Sequence, residues 1–312
     1  MVLAVAIAIP LYIEVFIESK TAQDAASPEI HFSVLQNGDE IAYQEIDNKA
    51  PVTVIFVGGL SGWSGTWQRV VSVLNTNTSK KYNFIALDLP PFGYSSVVGS
   101  EEGVFFRDKG AERINEFRVT KKLDRVIFVG HSYGAGIVAE AVITNPIGVE
   151  KLVIIDGVLN IDESKTVKRN FLTDHPDITK IPILPASHNT TLVQNRLKSF
   201  VYDTSHITPE LAELYTQSFS VEGTNEKLSE WIRDYIADPL VYKSTQSAEY
   251  KKLSMPVRVI WGREDTLTPL ILTDVFMKNL RDGKLIVLDR VGHIPMIEDY
   301  EQFDAALFES LK

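Results

Sequence analysis

Six apolar runs of strand length, Val52–Val57, Phe84–Leu87, Val126–Val129, Leu152–Ile155, Val257–Trp261 and Leu285–Leu288, constrain this chain more than any other feature. They are continuous rather than alternating, which suits strands covered on both faces, as in a parallel sheet. Helix-like stretches follow most of them, at Trp67–Leu74, Glu101–Lys121, Tyr133–Thr144, Leu270–Leu280 and Glu301–Leu311. Such alternation predicts repeated βα units, an α/β fold with a mostly parallel, doubly wound sheet. Ahead of the first run, two alternating segments between His31 and Ile46 flank Asn37-Gly38-Asp39, the turn chemistry of a β-hairpin, and the globular domain begins there.

The rhythm breaks once. Between Ile155 and Val257 lie about 100 residues without a clear buried strand, too long for a structureless loop. Amphipathic pieces at Pro209–Phe219 and Asn225–Ile236 predict a mostly helical insertion, a cap over residues 157–250, with the α/β core formed by 29–156 and 251–312. At the amino end, Met1–Ile13 carry no charge, and Glu14 and Glu18 interrupt an apolar run that ends at Ile17. That run is short of the roughly 20 residues of a membrane span, and a signal peptide would begin with basic residues, whereas Lys20 is the first one here. Residues 1–28 are therefore read as an apolar anchor or signal-like segment with a linker. Membrane association through residues 1–17, or export, is expected in preference to a purely cytoplasmic protein.

Charge and composition exclude several function classes. With 41 acidic against 31 basic residues the formal charge is −10, which opposes a phosphate-tracking, nucleic-acid-binding surface. Without cysteine there is no disulfide, no thiolate metal site and no cysteine nucleophile. No phosphate-cradling loop or dinucleotide fingerprint occurs, so no cofactor and no metal are expected.

Chemistry concentrates in Val129-Gly130-His131-Ser132-Tyr133-Gly134-Ala135-Gly136, a G-x-S-x-G pattern directly after a strand run and directly before a helical one. In that context the serine sits on a sharp strand-to-helix turn that lifts its hydroxyl above the sheet. The following helix offers free N–H groups to an oxyanion. A serine hydroxyl needs a base, and the base needs an orienting acid. Of the six histidines, His293 in Val291-Gly292-His293-Ile294-Pro295 follows the last strand run, at the sheet edge where ligands bind in open α/β folds. Trp261-Gly262-Arg263-Glu264-Asp265-Thr266 supplies the acid at another strand end; Asp265 is preferred, with Glu264 and Asp156 as rivals. The oxyanion donors are expected from the Tyr133 backbone and from Gly59 or Leu60, in the glycine-rich loop Gly58-Gly59-Leu60-Ser61-Gly62.

These motifs, together with Asp88-Leu89-Pro90-Pro91-Phe92-Gly93-Tyr94-Ser95, make residues 30–312 resemble the α/β-hydrolase superfamily. The likeness is to its capped branch of esterases, cofactor-free haloperoxidases, epoxide hydrolases, haloalkane dehalogenases and carbon–carbon bond hydrolases. The resemblance implies a Ser-Asp-His triad and a substrate pocket between cap and core. Two departures stand out: Val57-Gly58 replaces a common His-Gly, removing a brace of the oxyanion loop, and Pro91 replaces a turn glycine. A serine rather than an aspartate nucleophile disfavours epoxide and haloalkane hydrolysis. The expectation is a serine hydrolase that cleaves an ester or related acyl bond of a small or medium apolar substrate. Carbon–carbon bond hydrolysis of a diketone-like substrate, and non-catalytic binding of a small molecule, are the competing readings.

Overall fold

The computed structural model describes residues 18–162 and 188–312. The amino-terminal anchor expectation, and the cap residues Phe171, Leu172, Ile181, Ile183 and Leu184, fall outside them. Among the described residues no helix is long and apolar enough to cross a membrane.

Eight strands form one sheet: β1 (Ile30–Val34), β2 (Glu40–Ile46), β3 (Val52–Val57), β4 (Tyr82–Leu87), β5 (Val126–His131), β6 (Val149–Ile155), β7 (Val257–Gly262) and β8 (Gly283–Leu288). Their order is β1-β2-β4-β3-β5-β6-β7-β8. The β1–β2 hairpin closes at Val34↔Glu40, and β2 joins β4 antiparallel; every other pairing is parallel. All six residues of β3 and of β5 are buried, as continuous apolar runs require.

Alternation along the strands divides the core in two. Val54, Phe56, Ile127 and Val129 pack with α1 (Gln68–Thr78) and with the carboxy-terminal helix α8 (Tyr300–Leu311). Ile55, Val57 and Phe128 pack on the other face with α2 (Arg107–Thr120) and α3 (Ser132–Thr144). Between β6 and β7 the described residues hold three helices, α4 (Thr190–Lys198), α5 (Pro209–Thr216) and α6 (Thr224–Ala237), with short 3₁₀ turns and no strand. α7 (Thr273–Met277) follows β7.

This order positions the site. From β3 the chain steps outward to β4, then returns to β5 on the other side of β3. The strand order therefore reverses between β3 and β5, whose carboxyl ends meet at Val57↔Gly130. Open α/β sheets bind ligands at such a point, and here it brings Gly58-Gly59 up against the turn at Ser132.

Candidate active site

Ser132 stands where β5 becomes α3, with φ +52°, a left-handed conformation that costs a non-glycine residue about 1–3 kcal/mol. The surroundings force it. A Cβ at Gly134 would lie 2.2 Å from the Gly58 carbonyl oxygen, so only glycine lets the helix start approach the β3 loop this closely. The Ser132 carbonyl in turn accepts from the Val158 N–H at 3.0 Å, which ties the turn to the chain leaving β6.

His293 Nε2 lies 2.8 Å from Ser132 Oγ, and His293 Nδ1 lies 2.7 Å from Asp265 Oδ2. A carboxylate only accepts, so Nδ1 carries the proton and Nε2 is free to accept from the serine hydroxyl. Asp265 accepts further bonds from the Leu267 and Thr268 N–H groups and from the Thr268 hydroxyl at 2.6 Å. Burial opposes its charge, but the bonds from His293 and Thr268 prevail and hold its carboxyl below the usual range. Its loop is pinned by Trp261, whose indole N–H donates to the Thr268 carbonyl at 2.7 Å.

Among the described residues neither rival carboxylate is bonded to His293. Asp156, which interacts with Asp265, accepts the Gly262 N–H at 2.8 Å, and its other oxygen has no hydrogen-bond partner among those residues. Burial, reinforced by the neighbouring charge of Asp265, drives its carboxyl well up, favouring the neutral acid. Glu264 accepts the Val291 N–H at 3.0 Å, stitching the β7 loop to the β8 loop.

Gly59 meets Ser132 so closely that an added Cβ would sit 2.7 Å from the serine Cβ and 3.2 Å from its Oγ. Gly59, Leu60 and Tyr133 thus come together around one hydroxyl. The Tyr133 N–H lies in the first turn of α3, where helices leave N–H groups unbonded. The brace missing from Val57-Gly58 has a substitute: Asp88 accepts the Ser64 N–H at 2.6 Å and the Tyr94 N–H at 2.8 Å, joining the loops after β3 and β4. Burial raises the Asp88 carboxyl to about 6.

Two supports escaped the sequence reading. His131 Nε2 donates to the His293 carbonyl at 2.8 Å, and burial followed by the neighbouring His293 lowers its pKa to about 3, so it stays neutral. Glu298 accepts three backbone N–H groups at 2.7 Å each, from Gly292, Tyr202 and Asp203, while the His293 N–H donates to the Phe200 carbonyl at 2.8 Å. One buried carboxylate thus clamps the chain after α4 onto the His293 loop. Nothing in the sequence sets Glu298 apart from Asp299 beside it, because a buried carboxylate is recognised only by the donors it finds in the fold.

Ser132 opens onto two chambers that share Leu60, Phe200 and Leu267. The smaller is bounded by Trp67, Arg196, Leu197, Tyr215, Ile294 and Met296. The larger is bounded by Tyr133, Val158, Leu159, Trp231, Tyr235 and Leu272. Tyr133 meets Trp231 edge-on at 5.5 Å, and Trp231 stacks on Tyr235 at 5.2 Å.

Comparison with known proteins agrees with this architecture. A hydrolase of Bacillus subtilis, YugF, is 27% identical over 278 residues, 87% of this chain and 93% of its own. A 2-hydroxy-6-oxononadienedioate/2-hydroxy-6-oxononatrienedioate hydrolase of Burkholderia vietnamiensis is 26% identical over 294 residues (90% and 95%). Lipase 1 of Psychrobacter immobilis is 24% identical over 292 residues (88% and 81%). Among solved structures, a meta-cleavage product hydrolase from Pseudomonas fluorescens IP01 superimposes with a TM-score of 0.70 at 22% identity, over 91% of this chain and 98% of that one. The family described by the alpha/beta hydrolase fold matches residues 52–300, and with the strand order, the strained turn at Ser132 and the carboxyl-edge cleft in agreement, the chain belongs to the α/β-hydrolase fold family.

Proposed function

We propose that this protein is a serine hydrolase that cleaves an ester through an acyl-enzyme on Ser132, beneath a cap formed by residues 157–250. The observation that carries the reading is the hydrogen-bonded row Ser132–His293–Asp265, set beside the Gly59 backbone. His293 Nε2 takes the hydroxyl proton as Ser132 Oγ attacks the ester carbonyl carbon. The oxyanion is held by the N–H of Tyr133 and that of Gly59 or Leu60, each donor being worth roughly 3 kcal/mol. His293 then passes its proton to the departing alcohol. Water, deprotonated by the same nitrogen, releases the acid and restores the serine. Asp265 keeps the imidazole in the required tautomer and stabilises its protonated form.

Labelling with a fluorescent fluorophosphonate, mapped to a peptide, tests this. Modification of Ser132 in wild type and its loss in Ser132→Ala, together with loss of p-nitrophenyl ester turnover, is the expected result. Undiminished turnover in Ser132→Ala would sink it.

The Burkholderia relative's name favours a second reading, hydrolysis of a carbon–carbon bond in a diketone-like substrate by the same three residues after a proton transfer. The lipase relative supports the ester reading. Assays with simple esters beside a 2-hydroxy-6-oxo-dienoate separate the two: turnover of the dienoate alone would replace ester cleavage by the second reaction.

A further inference from the structure

Several arginines of the described structure are well partnered, whereas buried Arg118 donates one bond, to the Ile147 carbonyl at 2.7 Å, and two of its nitrogens have no partner among the described residues. Arg69 grips Asp304 with two bonds at 2.9 and 2.7 Å. Arg113 donates to Asp39 at 2.6 Å and to the Val104 carbonyl at 2.8 Å, and Arg107 has four acceptors. Arg196, on α4 and half-buried, is like Arg118 in having few partners, but it stands beside the candidate serine. Among the described residues it makes one hydrogen bond, a long one of 3.4 Å from Nη2 to Ser61 Oγ, and has no carboxylate partner. Its guanidinium nevertheless lines the smaller chamber beside Ser132. Partial burial there works against its charge and lowers its pKa, and an anion in the chamber would oppose that. Tyr215, from α5, lines the same chamber close enough to interact electrostatically with Arg196, and its hydroxyl has no protein partner among the described residues. Most of the remaining wall is apolar, with Trp67, Leu197, Ile294 and Met296, and among the described residues Arg196 is its one permanently charged residue.

We infer that this chamber takes a carboxylate carried by the substrate on a short hydrocarbon arm, received by the Arg196 guanidinium and the Tyr215 hydroxyl. Five N–H donors in a planar fork match a carboxylate, and the apolar wall matches the arm. A single cation and one hydroxyl suit a monoanion; a phosphate dianion would keep an unpaired charge, and the protein's net charge of −10 would repel it more strongly. The substrate class is thus narrowed from an apolar ester to an ester that bears an acid group. The position of this site beside the reacting carbonyl rests on the serine-hydrolase reading, but its anion chemistry does not. The competing role for Arg196 is to brace the Ser61 loop, which a single bond at 3.4 Å serves poorly.

Two matched pairs of esters test the inference: mono-p-nitrophenyl adipate against p-nitrophenyl hexanoate, with the acid on the acyl side, and 4-acetoxybenzoate against its methyl ester, with the acid on the alcohol side. In one pair the charged-to-neutral ratio of kcat/KM should fall about 10- to 100-fold in Arg196→Gln. Arg196→Lys, which keeps the charge but not the fork, should recover part of the ratio, and Tyr215→Phe should lower it several-fold. An unchanged ratio in both pairs overturns the inference, including the case where both members decline together, as loss of a loop brace would cause. If wild type cleaves none of the four, the hydrolase reading fails by itself. The anion site is then read by calorimetry with hexanoate and hexanamide on the Ser132→Ala protein: a preference for hexanoate that Arg196→Gln abolishes supports it, and equal binding refutes it.

Discussion

The carboxyl edge of the sheet and the β6–β7 segment facing it hold their residues by different means. At the edge, positions are set by backbone. Ser132 sits on a turn closed by Gly134 against Gly58, and Asp265 is surrounded by its own loop's N–H groups. His293 is hung from His131 on one side and the Phe200 carbonyl on the other. In the β6–β7 segment, α4, α5 and α6 present Arg196, Tyr215, Trp231 and Tyr235 to open chambers. The segment is tied to the core through side chains, among them the Glu298 clamp and the Asp234 carboxylate bonded to the Gly103 and Phe105 N–H groups. Under the proposed function the difference is a division of labour: the edge would fix which reaction can occur, and the segment above it what enters.

The severest way to break that division is to change the edge and find the effect dependent on substrate. Asp265→Asn should lower kcat on every ester by about 10⁴-fold, because the amide favours the wrong imidazole tautomer. Asp156→Asn, which keeps an acceptor for the Gly262 N–H, should cost less than about tenfold. Steady-state kinetics on three esters of different size checks both, and a reversal of the two results would transfer the orienting role to Asp156. Next in size, Gly59→Ala places a methyl 2.7 Å from the Ser132 Cβ, so the loop must retreat. Loss of one oxyanion donor predicts a fall of about 10²–10³ in kcat with KM little altered; a change confined to KM would mean that Gly59 only shapes the chamber.

How much of this was legible depended on the range of the interactions. The strand runs were readable because a strand buried on both faces leaves a continuous apolar record, and β3 spans Val52–Val57 as predicted. Helix starts were less so. α2 begins at Arg107 rather than Glu101, because Gly103, at φ +94°, and Phe105 give their N–H groups to Asp234, more than a hundred residues away. The stretch predicted as a helix over Leu270–Leu280 divides into a 3₁₀ turn and the short α7. Ser132, His293 and Asp265 could be nominated because each follows a strand at the same sheet edge. Arg196 and Glu298 could not, since their significance comes from what lies opposite them: no carboxylate among the described residues for one, three N–H groups for the other.

A smaller effect separates support from chemistry at the edge. His131 has a folded pKa of about 3, below its unfolded value of roughly 6.5, so between those pH values the unfolded chain binds more protons. Stability therefore rises with pH across that window and is lost on acidification. From pH 7 to pH 5 the contribution of His131 to that loss is about 2 kcal/mol. Urea unfolding at both pH values should show His131→Asn losing less than wild type by about that amount. An equal loss in the two proteins would mean that His131 is not held neutral, and its bond to the His293 carbonyl would need another explanation.

The smallest effect belongs to the segment above the edge. Tyr235 lies on α6, stacks on Trp231 and borders the larger chamber, while remaining 47% exposed. Tyr235→Ala removes one wall of that chamber without opening the core, so unfolding should shift by no more than the roughly 0.5–1.5 kcal/mol of an aromatic pair. KM for esters with bulky apolar groups should rise about fivefold, in the range of a lost hydrophobic contact, while kcat for the smallest acetate stays within about twofold. Because Tyr235 reaches the edge through the rings of Trp231 and Tyr133, an equal fall in kcat for small and bulky esters would show that α6 helps hold the edge itself. The separation between reaction and selection would then fail at its weakest point, where Trp231 leans on Tyr133, the residue next to the serine.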